Sequence, residues 1–183
     1  NTVGVDLTVA AGGALDFDGG AGADRLELDT VADITKLDDL NGGAGADTLA
    51  ISAVVAGDLS AAQRATISNI ETLEYEGAQD TTGGNDTQTI DLTKISGMNT
   101  LFMNGAVTTD ANDLLQVNAD SGFKYRTDAA PTAAAATVIF NITNAANAGT
   151  NDTVTFSSEI EAAGAASTIG GFTVDNVENV VLE

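Results

Sequence analysis

GGAGADRLEL, from Gly19 to Leu28, and GGAGADTLAI, from Gly42 to Ile51, are the two stretches that decide how this chain is read. Each opens with GGAGAD and continues with apolar residues at alternate positions, Leu26 and Leu28 in the first and Leu49 and Ile51 in the second. Glycine adopts turn conformations that a Cβ would resist, and it lets backbone carbonyls approach a bound group closely. The Asp at the end of each motif adds a hard anionic oxygen of the kind that calcium collects in sets of six to eight. Alternation after the Asp starts a short strand with one apolar face turned inward. A glycine-rich hairpin turn is the competing reading, since a lone GGxG is an ordinary flexible loop. Two copies with the same Asp offset and the same following strand weigh against it.

The two Asp residues, Asp24 and Asp47, are 23 positions apart. If that interval is one turn of a coiling chain, the two carboxylates stack one strand spacing apart, about 4.8 Å. At that distance they repel by roughly 3 kcal/mol at an effective dielectric near 20. A cation between the turns would remove the repulsion and fill part of its own coordination shell.

Composition narrows the rest. Among 183 residues 27 are acidic and 6 basic, a formal net charge of -21. Such a chain is not expected to hold DNA, RNA or an anionic membrane surface by charge. A hydrophobic share of 43% and many β-branched residues argue for a fold and against disorder. Asp outnumbers Glu by 19 to 8 and sits mostly beside Gly, Asn or Thr, which favours turns over solvated helix faces. Cys, His and Trp are absent. That excludes disulfides, zinc sites built on His or Cys, and Ser-His-Asp or Cys-His nucleophiles. Few aromatics and abundant small residues predict the thin core of a solenoid. No apolar run approaches the ~18 residues of a membrane span. The opening NTVGVDLTVAAGG lacks the basic start and long apolar region of a signal peptide, and a start without Met is expected of a processed product or a fragment.

Taken in order, residues 3–17 predict two strands around a turn at Ala10 to Gly13. Between the glycine motifs, apolar Val31, Ile34, Leu37 and Leu40 fit either the other half of a roll turn or a helical turn. AGDLSAAQRATISN predicts one short helix near Leu59 to Ala65, with Asp58 or Ser60 as N-cap. ISNIETLEYEG (Ile67 to Gly77) recurs as ISGMNTLFMNG (Ile95 to Gly105) and again as VDNVENVVLE (Val174 to Glu183). Asp86, Asp113 and Asp152 lead further strands, at irregular spacing. Residues 119–136, with the single Pro, read as a loop or small excursion; its Lys124 and Arg126 could form a basic patch that meets an acidic neighbour, but chance placement on a solvated loop is the favoured reading. The whole reads as one extended β domain over 1–183, with metal-type turns at 15–51, the helix and repeated strands at 52–118, and a second β part at 119–183. The expected fold is all-β: an irregular parallel β-roll or β-solenoid with one short helix, with room for a β-sandwich-like part.

GGAGADRLEL and GGAGADTLAI resemble the glycine-rich nonapeptide repeats of RTX proteins, G-G-x-G-x-D-x-U-x, which bind calcium in a β-roll. The SNIETL-type strands resemble segments that follow such repeats in bacterial surface-layer proteins and large RTX adhesins. A roll of that kind uses about 18 residues per turn, so a 23-residue interval looks like one turn with a small insertion. The resemblance implies calcium as cofactor, type I secretion, folding outside the cell and assembly on the cell surface. Carried over by position, Gly19, Gly20, Gly22 with Asp24, and Gly42, Gly43, Gly45 with Asp47, would form two metal turns. Asp86, Asp113 and Asp152 lack the full glycine lead-in, and no unbroken tandem array is present, which argues against a simple toxin domain.

Three functions follow. The first is a secreted, calcium-stabilised structural protein that self-assembles with copies of itself into a cell-surface layer, sheath or filament, with VDNVENVVLE as a candidate joining strand. The alternative is a calcium-dependent adhesin module that binds carbohydrate, such as a cell-surface polysaccharide, or another surface through loops such as Ser121 to Pro131. An enzyme is disfavoured. Glycoside chemistry needs two carboxylates about 5 to 10 Å apart across a cleft, and of Glu71, Glu74, Glu76, Glu159 and Glu161 the pair Glu74 and Glu76 alternates as a solvent-facing strand would.

Overall fold

A computed structural model describes residues 5–6, 13–28, 34–51, 59–76, 79–80, 89–93, 95–103, 107–108, 114–117, 123–127, 138–144, 152–158 and 169–183. The chain winds as a parallel β-solenoid. Its first strands are β1 (Val5–Asp6), β2 (Asp16–Asp18), β3 (Arg25–Leu28), β4 (Asp39–Asn41) and β5 (Thr48–Ile51), followed by the helix α1 (Ala61–Arg64). Then come β6 (Ile67–Ser68), β7 (Thr72–Tyr75), β8 (Gln79–Asp80), β9 (Thr89–Asp91), β10 (Thr100–Met103) and β11 (Val107–Thr108). The remainder is β12 (Leu114–Val117), β13 (Phe123–Thr127), β14 (Val138–Asn144), β15 (Thr153–Ser158), β16 (Ile169–Asp175) and β17 (Asn179–Leu182). Every pairing among the described strands is parallel. No helix among the described residues is long and apolar enough to cross a membrane.

One long sheet runs β1-β3-β5-β7-β10-β13-β15-β17. Facing segments form the sheets β2-β4-β6 and β16-β14-β12-β9, and β8 pairs with β11. The alternation after each turn sets the core. Leu26, Leu49, Leu73 and Leu101 stack in register along the long sheet and are fully buried. Leu28, Ile51 and Tyr75 form the next column inward. From the short sheet, Leu40 and Ile67 complete the packing with Phe17 against them. Each fully buried Leu contributes roughly 2 kcal/mol relative to exposure, and repetition of these stacked columns maintains the thin core.

The helix starts where a reciprocal cap forms. Ser60 Oγ accepts from the Gln63 amide at 3.3 Å, and Gln63 Oε1 accepts from the Ser60 amide at 2.8 Å. Gln63 also donates to the Ile34 carbonyl at 3.1 Å, tying the helix to the preceding coil. Between the glycine motifs, residues 35–38 make a turn and β4 follows, so this stretch supplies the other half of a coil.

Two expectations need correction. Residues 123–127 are not loop: Phe-Lys-Tyr-Arg-Thr forms β13, paired on both sides. Lys124 there meets an acidic partner, Glu183, at 3.1 Å, across the intervening strand β15. Nor is Glu74 a solvent-facing residue, being 6% exposed. Arg25 explains this. Its guanidinium reaches across β5 to Glu74 and Glu76, with Glu27 at 3.9 Å, and Ala50, in register between Glu27 and Glu74, is fully buried. Burial works against charge on Arg25, but the hydrogen bond and charge of Glu74, then the charges of Glu76 and Glu27, outweigh it and hold its pKa above the ordinary value. Burial pushes the Glu76 carboxyl up, Glu27 and Glu74 add to this, and Arg25 opposes it. The predicted turn at Ala10 to Gly13 and the strand leaders Asp86 and Asp113 lie largely or wholly outside the described residues.

Candidate metal centre at the glycine turns

The two GGAGAD turns stack directly. Arg25 pairs with Thr48, so Asp24 and Asp47 occupy equivalent corners of successive coils, as the 23-residue interval requires. The turns hydrogen-bond to each other: Gly22 donates to the Ala44 carbonyl at 2.9 Å, and Ala44 donates to the Gly20 carbonyl at 2.7 Å. At the entrance of each turn a side chain bends the backbone, Asp18 Oδ1 accepting from Gly20 at 3.2 Å and Asn41 Oδ1 from Gly43 at 3.1 Å.

Glycine is required here for two distinct reasons. Gly43 has a φ of 94°, and a Cβ on it would overlap the Gly20 carbonyl oxygen and lie 2.8 Å from the Gly20 nitrogen. Gly42 is constrained by close approach, because its Cβ would lie 2.7 Å from the Asp47 Cβ and overlap the Asn69 carbonyl oxygen. Ala21, Ala23, Ala44 and Ala46 are exposed, so within each motif it is the Asp that buries its side chain. In the next coil the turn is shorter. Ser68 to Glu71 replaces the glycine motif, Asn69 takes the positive φ (50°), and the fully buried Ile70 joins the core. The same construction recurs with Gly97 before Met98 and with Asn176 before Val177, which gives the weak SNIETL repeat a structural meaning.

Asp24 and Asp47 point inward beneath the turns and are 7% and 1% exposed. Asp47 Oδ1 accepts from the Asp24 amide at 2.8 Å. The second oxygen of each carboxylate, Oδ2, is buried without a hydrogen-bond partner. Unpartnered buried acceptors are costly, and these two recur at equivalent places in adjacent turns. A cation would satisfy both, so the residues present fit calcium. Among the described residues no group of three or more acidic side chains is placed to hold a metal ion. The other ligands would therefore be backbone carbonyls of the turns, which keep a second lone pair after accepting one bond, and water. Of the eight residues predicted from the motif, Asp24 and Asp47 would supply charge. Gly19, Gly20, Gly22, Gly42, Gly43 and Gly45 shape the two turns.

Comparison with known proteins finds no family model, curated protein or solved structure that matches the chain. The likeness to RTX repeats thus rests on the motif residues themselves.

Sequence reading missed a second use of the acids. Each of several carboxylates reaches back to a backbone amide of the preceding coil: Asp38 to Leu15 (2.8 Å), Asp47 to Asp24 (2.8 Å), Glu71 to Asp47 (2.8 Å) and Glu178 to Asp152 (3.2 Å). The signal was present in the recurring Asn-Ile-Glu and Asn-Val-Glu at 69–71 and 176–178. Asp152, at 0% exposure, belongs to this clasp system.

Proposed function

We propose that the protein is an extracellular, calcium-stabilised structural protein that assembles with copies of itself into a cell-surface layer, sheath or filament, and that it is not an enzyme. The observation that carries the reading is the pair of buried, partnerless Asp Oδ2 atoms in stacked glycine turns of a chain with net charge -21. Calcium bound there supplies the positive charge that the sequence lacks and links adjacent coils. Self-assembly has a second support. The edge strand β17 is exposed along its length, although Val180 and Leu182 are in register with the buried Val154 and Phe156. Leu182 is 72% exposed. An apolar edge strand of this kind is a template for strand addition.

Identical subunits at -21 repel, and salt screens that repulsion only beyond about 8 to 10 Å. Contact therefore needs a divalent ion at the junction. Light scattering should show polymers in millimolar calcium that dissolve in chelator and do not return in sodium chloride of equal ionic strength. Monomers at high protein concentration in calcium would overturn assembly. Such monomers retaining a polysaccharide would select the adhesin.

A further inference from the structure

We infer that Glu71 is a positioning residue of the cation site and acts through Asp47; this rests on the calcium reading above. Glu71 Oε2 accepts from the Asp47 amide at 2.8 Å, and Asp47 Oδ1 accepts from the Asp24 amide at 2.8 Å. The two bonds form a relay through three coils that fixes the backbone of both residues whose Oδ2 atoms lack partners. Glu71 does not extend the array of metal turns. Its own turn is short, and Ile70, with no exposed surface, joins the core, whereas the corresponding Ala46 of the glycine turn is exposed. Glu71 therefore ends the array while holding its last Asp in place.

The same clasp at Glu178 and Asp152 provides an internal control remote in the sequence from the glycine turns. If the Glu71 bond is lost, the Asp47 amide must find another acceptor, and the carboxylate attached to that residue moves with it. Loss of an outer partner of a metal ligand weakens metal affinity by about 10- to 100-fold.

The test is calcium titration calorimetry on Glu71→Ala, Glu71→Gln and Glu178→Ala, with melting in chelator and amide exchange at Asp47. Glu71→Ala should bind calcium about tenfold more weakly and exchange the Asp47 amide faster. Glu71→Gln, which keeps an acceptor oxygen at the same reach, should stay within about twofold. Glu178→Ala should lower the chelator melt and leave calcium affinity unchanged. Should Glu71→Ala fail to fold, Glu71→Met removes the acceptor while keeping the volume, and the same weakening is expected. Unchanged affinity without the acceptor overturns the positioning role. So does a Gln variant as weak as Ala, which would assign the effect to charge, or equal weakening in Glu178→Ala. An unaltered chain that binds no calcium overturns the calcium reading and this inference with it.

Discussion

Asp47→Ala should abolish the stabilisation by calcium and also lower the melt in chelator, whereas Asp24→Ala should abolish the first without lowering the second. From the sequence alone both substitutions are expected to matter only in calcium. The structure separates them. Asp47 Oδ1 holds the buried Asp24 amide, so removing it strands a donor at a cost of about 1 to 3 kcal/mol. Asp24 has a buried Oδ2 with no partner, and its removal relieves an unsatisfied acceptor that costs about 1 to 3 kcal/mol, so the chelator melt should not fall. The calcium increment is larger, since an ion at 1,000 times its dissociation constant stabilises by roughly 4 kcal/mol. Thermal melts of both variants, with calcium and with chelator, check this. Equal calcium shifts in variants and parent would remove the two carboxylates from the site.

Gly43→Ala should be among the most damaging single substitutions in the turns. Its φ of 94° lies in the region that costs an L-residue about 1 to 2 kcal/mol. The added methyl also overlaps the Gly20 backbone, which is itself bonded to Ala44 and cannot retreat without breaking that link. The sum is about 3 kcal/mol or more, a drop of roughly 6 to 12 °C in melting temperature for a chain of this size. Ala46→Ser, at an exposed position of the same turn, should change the melt little. A Gly43→Ala variant that melts with the parent would mean the turns do not stack as described.

The parts of the fold legible in the sequence were those with a local cause. Glycine pairs forced turns, alternation after Asp24 and Asp47 forced inward strands, and the shared offset placed the two turns in register. Ser60, one of the two caps the sequence offers with Asp58, marks the helix start, and its reciprocal bond with Gln63 is seen in the structure. What escaped is what depends on neighbours in space. The interval between paired strands is 21 residues from Val5 to Leu26 and 31 from Phe123 to Val154. No fixed period therefore pointed to β13, and its mix of aromatic and basic residues resembled a loop. Glu74 looked solvent-facing by alternation because Arg25, two strands away, supplies the cover. The clasp acids were visible as repeated Glu71 and Glu178, but their target amides lie 24 and 26 residues earlier. Only the coiling brings each pair together.

The most direct test of a calcium-stabilised solenoid is the melting temperature of the unaltered chain in saturating calcium and in chelator. About 4 kcal/mol of linkage corresponds to a rise of roughly 8 to 16 °C in calcium for a protein of this length, and magnesium, which demands a tighter octahedral shell, should give less. Coincident melts in calcium and chelator would contradict the account.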